Sequence, residues 1–147
     1  AIEVINRLRK MGLSDYDIAS TLATTVSQRL VRRICPDCRR EREFTSEEKE
    51  IITKIAEKYG ETVNFDNAKT FEAVGCNNIG YYGRIGVFET LDVSDEIKEL
   101  IVKGASTIEI RKKAQEQNYK PLVIDGIRKI MNGETTLEEL NRQLILY

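Results

Sequence analysis

The hydrophobic pattern of the first thirty-three residues predicts two helices. Apolar side chains recur every three positions from Ile2 to Met11, and Gly12 follows them as a helix stop. Ser14 is a residue type that caps helices, so a second helix is expected directly after it. Its apolar stripe continues at intervals of four residues through Ile18, Leu22, Val26 and Leu30. The pattern therefore predicts that the second helix extends to Arg33.

The middle of the chain mixes one helix with short extended segments. Thr45 and Glu48 have the spacing of a capping box, which predicts a helix that begins there and ends at Gly60. Segments bounded by polar and glycine-rich stretches have the composition or the alternation of strands. These strand-like segments are TVNF at 62–65, KTFEAVG at 69–75 and RIGVFETLDV at 84–93.

The last third of the chain predicts four short helices. Ser94 caps the first of them, and the pairs Ser106–Glu109 and Thr136–Glu139 have the capping-box spacing again. Connections of two to four residues predict antiparallel neighbours. The whole pattern predicts an α+β chain that is mainly α with a few short strands.

Composition limits the functions that this chain can have. Its 147 residues suffice for one domain or two small subdomains. The 23 basic and 24 acidic residues give a net charge of −1, so the overall charge offers no reason to expect nucleic acid or anionic lipid. There is no histidine, which excludes histidine-based acid–base chemistry and every metal site with a histidine ligand. Because the chain begins with Ala1 inside a helical pattern, we expect a fragment of a longer protein.

The cysteines form an incomplete zinc-binding pattern. Cys35 and Cys38 are spaced as one half of a four-thiolate site, and Cys76 begins a second half. Ile79 occupies the position where the fourth sulfur would lie. A carboxylate or water could complete a three-cysteine zinc site. The alternative, which the sequence favours, is a metal-free knuckle, in which the cysteine-bearing turns keep their fold without zinc and Ile79 makes a buried contact. A redox-active Cys-x-x-Cys is a third interpretation.

Six arginines within fourteen residues form the strongest basic segment. They could contact phosphate at a nucleotide or a nucleic acid, form ion pairs with another subunit, or simply lie at a helix end and in a solvated loop. No aromatic residue lies between Tyr16 and Phe44, which weakens the nucleic-acid interpretation. The arginines are Arg29, Arg32, Arg33, Arg39, Arg40 and Arg42.

No segment has the pattern of a catalytic or phosphate-binding motif. The glycines of GYYGRIG, residues 80–86, do not match the P-loop pattern G-x-x-x-x-G-K-[ST]. Paired carboxylates and nucleophile–base combinations are also lacking. We therefore expect no catalysis from this chain alone.

Several segments together resemble one family, the type II secretion and type IV pilus assembly ATPases. Residues 1–38, ending in RLVRRICPDC, resemble the part that follows the family's histidine box. The segment GCNNIGYYGRIGVFETLDV at 75–93 resembles the second metal knuckle with its GYxGRxGxxE strand, and DGIRKIMNGETTLEEL at 125–140 is similar to the C-terminal helical subdomain. The family pattern contains two complete Cys-x-x-Cys pairs, so this chain departs from it at one ligand.

The resemblance implies a part of a hexameric P-loop motor at the cytoplasmic face of the inner membrane. Such motors bind ATP and Mg²⁺ and act through a membrane platform protein; their Walker and histidine-box motifs would lie upstream of Ala1. Gln28 and Arg29 match the family's Gln-Arg pair on a core helix and are expected near the nucleotide. The implied domains are the last helices of a RecA-like core at 1–33, a metal-binding-like subdomain at 34–83, a returning strand at 84–93 and a C-terminal helical subdomain at 94–147.

Two functions of different classes follow from the sequence. The leading hypothesis is a non-catalytic motor fragment that serves subunit contacts and force transmission. The alternative is a free-standing zinc-knuckle module that binds protein or nucleic acid through its arginines. A Walker motif upstream in the same reading frame would favour the first, and DNA binding that weakens steeply with salt would favour the second.

Overall fold

The computed structural model describes residues 1–75 and 79–144, which form seven helices and four strands. The α+β class is therefore as predicted. The helices are α1 (Glu3–Lys10), α2 (Asp15–Thr21), α3 (Ser46–Lys58), α4 (Asp95–Val102), α5 (Thr107–Glu116), α6 (Leu122–Met131) and α7 (Leu137–Leu144), and the strands are β1 (Thr24–Ile34), β2 (Arg40–Arg42), β3 (Thr70–Glu72) and β4 (Tyr81–Asp92).

The strands form two small sheets of two strands each. β1 pairs with β4, and β2 pairs with β3 in antiparallel register, with Glu41 opposite Phe71. The β1–β4 pair is also antiparallel. The Val93 N–H donates to the Ala23 carbonyl beyond one end of the pair, and the Cys35 N–H donates to the Gly80 carbonyl beyond the other.

The prediction that the second helix extends to Arg33 is wrong. α2 ends at Thr21, and the backbone is already extended at Leu22, with ψ 112°. A spacing of four residues is a multiple of two, so the apolar stripe fits a strand as well as a helix. The β-branched run at the start of β1 suits a strand, and the pairing of this segment with β4 settles the choice. Val26 and Leu30, expected on the buried face of a helix, are 61% and 44% exposed on β1.

Local capping signals correctly predicted the starts of five helices, which are α2, α3, α4, α5 and α7. The Thr45–Glu48 and Ser106–Glu109 capping boxes are both complete. At Thr136 only half of the expected box forms: the Glu139 N–H donates to Thr136 Oγ1 at 3.2 Å, but the Glu139 side chain turns away from the cap. Of the three strand-like segments, 62–65 is not a strand. β3 lies within the predicted segment 69–75, whereas β4 begins before the predicted segment 84–93 and ends within it.

The chain divides into two compact units. The first unit comprises residues 1–27 and 89–121, and its apolar core is built on α1, α2, α4 and α5. The second unit comprises residues 28–88 and 122–147, and its core joins side chains of β1, α3, β4, α6 and α7. Within the described ranges, every helix is too short or too polar to cross a lipid bilayer. The domain limits that the family resemblance implies remain a prediction.

Candidate functional site

The second unit has an open cleft lined by residues of β1, β4 and α7, with a volume of about 730 Å³. Its lining is strongly basic, because four arginines face a single carboxylate, Glu139. Gln28 and Gln143 add side-chain amides to the same wall. The arginines are Arg29, Arg32, Arg84 and Arg142.

Glu139 is a fully buried carboxylate that forms hydrogen-bonded ion pairs with two arginines. Its side chain is 0% exposed. One oxygen, Oε1, accepts the backbone N–H of Arg32 at 2.9 Å and Nη2 of Arg142 at 3.1 Å. The other, Oε2, accepts Nε of Arg32 at 2.9 Å and Nε of Arg142 at 3.0 Å. The carboxylate therefore holds the start of α7 against the edge of β1.

The environment of Glu139 keeps this carboxylate ionised. Burial raises its pKa, but the hydrogen bonds from Arg32 and Arg142 outweigh burial and lower the pKa to about 2. A group with such a pKa neither donates nor accepts a proton at neutral pH. Glu139 is thus a structural anion and not an acid–base catalyst.

Arg32 connects three elements around this anion. Its guanidinium lies over the ring of Tyr81 on β4, 4.1 Å from the ring centroid, a cation–π contact. The Tyr81 hydroxyl shares a hydrogen bond of 2.9 Å with Thr136 Oγ1. The Thr135 hydroxyl in turn donates to the Arg32 carbonyl at 2.9 Å. Together with Glu139, these contacts fix β1, β4 and the start of α7 to one another.

Two of the cleft arginines have no such partner in the part of the chain that the structure describes. Across residues 1–75 and 79–144, neither Arg29 nor Arg84 forms an ion pair or a side-chain hydrogen bond, and both are exposed. Four arginines and one carboxylate give the cleft lining a net charge of +3, and Arg29 and Arg84 contribute two of these charges without a partner among the described residues. Such a site attracts anionic groups.

The six arginines of the basic segment do not form one surface. Arg42 pairs with Glu48 at 2.7 Å, and Arg40 pairs with Glu72 across β2 and β3. Arg39 lies over the Phe71 ring, 3.9 Å from its centroid. Only Arg29 and Arg32 of this segment line the cleft, because the segment crosses from one sheet to the other.

Gln28 and Arg29, the predicted nucleotide-proximal residues, both lie in the cleft. They are on strand β1, whereas the resemblance placed the matching pair on a helix. Their proximity to a nucleotide remains a prediction. No other residue of the cleft was singled out as a nucleotide contact from the sequence.

The cysteine site is only partly described. Cys35 is buried and Cys38 half-buried, whereas Cys76 lies outside the described residues. Considering residues 1–75 and 79–144 alone, no three cysteine, aspartate or glutamate side chains are grouped to hold a metal ion. The described donors by themselves thus do not form a zinc site, and zinc binding remains a prediction.

Ile79 does not make the buried contact expected of it, because its side chain is 56% exposed. The backbone of the adjacent residue packs instead. Gly80 is buried at φ +67°, and a Cβ there would lie 2.2 Å from the Ala73 carbonyl carbon. The close contact beside Ile79 is therefore formed by Gly80 against the backbone of Ala73.

Sequence reasoning missed Glu139, Tyr81, Arg84 and Arg142 as members of one site. Glu139 had a local explanation as a capping residue, and this concealed its partner on β1, 107 residues away. Arg84 was visible only as part of the GYxGR motif. The charge of Arg84 within a glycine-rich segment was the one local signal available in the sequence.

The fold and the cleft define an α+β chain that presents a basic cleft, and its sequence contains no P-loop motif. The chain belongs to the type II/IV secretion system protein family, whose model matches residues 1–142. The type IV pilus assembly ATPase PilB of Thermus thermophilus is 36% identical over 143 residues, which cover 95% of this chain and 15% of that protein.

Two further relatives are also named as ATPases of type IV pilus assembly or type II secretion. PilB of Myxococcus xanthus, also a type IV pilus assembly ATPase, is 34% identical over 140 residues, or 92% of this chain and 24% of that protein. The type II secretion system ATPase E of Vibrio cholerae is 34% identical over 152 residues, or 97% of this chain and 27% of that protein. The chain spans about a quarter of the length of most of these relatives.

Proposed function

We infer that this chain is a non-catalytic C-terminal part of a hexameric P-loop ATPase that powers type II secretion or type IV pilus assembly. The observation that carries this inference is the family match over residues 1–142, together with relatives named as ATPases of both machines. The chain's own 147 residues contain no Walker A motif, so ATP and Mg²⁺ would be bound by the rest of the parent protein.

The role of this part is to make subunit contacts and to transmit force. Transmission needs elements that move as one body. The chelated carboxylate of Glu139 supports this role, because it joins α7 to β1 through hydrogen bonds from both the backbone and the guanidinium of Arg32. Gln28 and Arg29 lie on the same strand as Arg32. They would lie near the nucleotide and connect it to the contact between Arg32 and Glu139.

The partners follow from the same proposal. Other copies of the ATPase would surround this part in the ring, and a platform protein of the inner membrane would receive the force. The parent would then act in the cytoplasm, at the inner face of the membrane. Nucleic acid is not a partner in this proposal, in keeping with the net charge of −1.

The genomic reading frame and one assay test the proposal. We expect the frame to continue upstream of Ala1 through a G-x-x-x-x-G-K-[ST] motif. The full-length product should hydrolyse ATP, whereas the purified 147-residue chain should not. A start codon close to Ala1, or turnover by the chain alone, would contradict the proposal. Salt-sensitive binding of a labelled DNA duplex by the chain would instead support the adaptor alternative.

A further inference from the structure

The segment that carries Cys35 and Cys38 lies against the backbone that leads to Cys76. The Cys35 N–H donates to the Gly80 carbonyl at 3.0 Å, and the Gly80 N–H donates to the Gly75 carbonyl at 3.2 Å. Gly75 has φ +85°, and a Cβ there would lie 3.0 Å from Cys38 Cβ and 3.7 Å from Cys38 Sγ. The residue immediately before Cys76 is therefore a direct neighbour of the Cys38 side chain.

The sulfur of Cys38 is not a free thiol, because Cys38 is disulfide-bonded. The chain has three cysteines, and Cys35 is not part of a disulfide. The bond is thus not the redox-active pairing within Cys-x-x-Cys, which would need Cys35. Cys76, outside the described residues, is the one cysteine of the chain that remains.

We propose that Cys76 is the disulfide partner of Cys38, and that this bond replaces zinc as the link between the two cysteine-bearing segments. Residue 76 is one step of about 3.8 Å along the backbone from Gly75. A disulfide joins Cα atoms that are about 4.4–6.8 Å apart. Because Gly75 lies beside Cys38, the next residue is within reach of the Cys38 sulfur.

The donors of this chain suit a disulfide better than a zinc ion. A structural zinc ion takes four ligands, and a cysteine serves as one only as a thiolate. A sulfur in a disulfide is not a thiolate, so the bond removes Cys38 from the possible ligands. Ile79, at the position of the fourth ligand, has no donor atom, and its side chain is exposed. Two sulfurs, by contrast, complete a disulfide, and Cys35 is not needed for it.

The bond forms by a balanced exchange with a low-molecular-weight disulfide, such as oxidised glutathione. One protein thiolate attacks a glutathione sulfur, which releases one glutathione thiolate and leaves a mixed disulfide. The second protein thiolate attacks the protein sulfur of that mixed disulfide and releases the other glutathione. The two protein thiols lose two protons and two electrons, and one glutathione disulfide becomes two thiols. Cys38 is half-buried and open to such a reagent, whereas Cys35 is only 4% exposed.

The disulfide acts as a redox-sensitive clamp on the second unit. It closes a loop that contains β2, α3 and β3. Closing a loop removes conformational freedom from the unfolded chain and so stabilises the folded state. Reducing conditions open the clamp and oxidation closes it. The clamp follows from the chain's own cysteines and does not depend on the proposed function.

Fragment mapping identifies the partner of Cys38. Aspartates separate the three cysteines, so a protease that cleaves before aspartate puts each in its own fragment, namely 17–36, 37–65 and 66–91. The chain is treated with about 5 mM oxidised glutathione, and the remaining thiols are blocked with N-ethylmaleimide under denaturing conditions. We expect 37–65 joined to 66–91, with 17–36 alkylated. Dithiothreitol should return all three fragments to the alkylated form.

Three results of this mapping would overturn the proposal. The first is a link between 17–36 and 37–65, which would mean that Cys35 is the partner. The second is a link that occurs only in covalent dimers of the chain, seen as twice the intact mass without reductant. The third is full alkylation of all three fragments after oxidation.

Melting of matched variants tests the clamp itself. Oxidation should raise the melting temperature of the unchanged chain by about 5 °C or more over that of the reduced chain. Cys76→Ser should abolish this rise, whereas Cys35→Ala keeps both bonding sulfurs and should retain it. Each variant is compared with itself, oxidised against reduced, so a general loss of stability does not imitate the result. Equal melting temperatures for the oxidised and reduced unchanged chain would overturn the clamp.

Discussion

At the scale of single residues, Glu139 shows how a side chain with a local signal can take a distant partner. Its position three residues after Thr136 predicts a cap, yet the carboxylate turns to Arg32 and Arg142. Burying a carboxylate is costly unless its charge is paired and its oxygens are hydrogen-bonded. Here both oxygens accept two hydrogen bonds each, so the folded state keeps the charge.

Removing that charge should destabilise the second unit. In Glu139→Gln, the amide cannot pair with the two guanidiniums, and its N–H group would face donors. Both arginines are partly exposed, at 35% and 54%, so we expect the free energy of unfolding to fall by about 2–3 kcal/mol, below the usual range for a fully buried pair. Urea unfolding measures the loss. Glu138→Gln, at the exposed neighbour, should change stability by less than about 0.5 kcal/mol, and similar losses in both variants would contradict this role.

The same carboxylate should produce a pH dependence. Its pKa is lowered on folding from the ordinary 4.5 to about 2, so its stabilisation is fully present above pH 4.5 and is lost as the pH falls towards 2. This lowering of the pKa corresponds to about 3 kcal/mol in the free energy of unfolding. The gap in unfolding free energy between the unchanged chain and Glu139→Gln should therefore narrow by most of this amount between pH 6 and about 2.5. A gap that stays constant with pH would argue against the chelated anion.

At the scale of elements, the helix caps were predictable and β1 was not. A capping box involves residues three apart, so Thr45–Glu48 and Ser106–Glu109 could be recognised in isolation. The apolar spacing of β1 fits both periods, and its pairing with β4 settles the choice. β4 itself alternates clearly enough to be predicted, although it begins at Tyr81, before the expected residue 84.

The end of α6 depends on a glycine for two separate reasons. Gly133 has φ +71°, and a Cβ there would lie 2.4 Å from Cε2 of Phe71, which the Arg39 guanidinium covers. Gly133→Ala should therefore cost about 2 kcal/mol or more in unfolding free energy. Gly83→Ala is the matched control, because Gly83 has φ +72° in the same unit with nothing within 4 Å of a Cβ. It should cost only about 1 kcal/mol. Equal costs would mean that crowding against Phe71 is unimportant.

At the scale of the whole molecule, each compact unit has its own apolar core, so neither needs metal to bury a core. The first unit buries residues such as Ile5 and Ile97, and the second buries Ile52 and Leu140. Both sets are aliphatic and fully enclosed. Burial of this kind contributes roughly 1.5–3 kcal/mol per side chain, which supports folding without a metal.

Zinc content is the measurement that separates the two interpretations of the cysteines. We expect essentially no zinc in elemental analysis of chain purified without chelator or metal-affinity resin, because Ile79 supplies no ligand. Cys76→Ser should then leave the metal content unchanged. About one zinc per chain, released by Cys76→Ser, would contradict this expectation and favour a three-cysteine site completed by a carboxylate or water.

By itself, the sequence determined the family, the α+β class and most helix starts, and it shows directly that the P-loop motif is missing. These features depend on residues within a few positions of one another or on motifs that can be read directly. Only the tertiary structure decided that residues 24–34 form a strand, that Ile79 is exposed, and that Glu139 pairs with Arg32 across 107 residues. The basic cleft belongs to this second group, because its arginines come from β1, β4 and α7 and become neighbours only when the second unit folds.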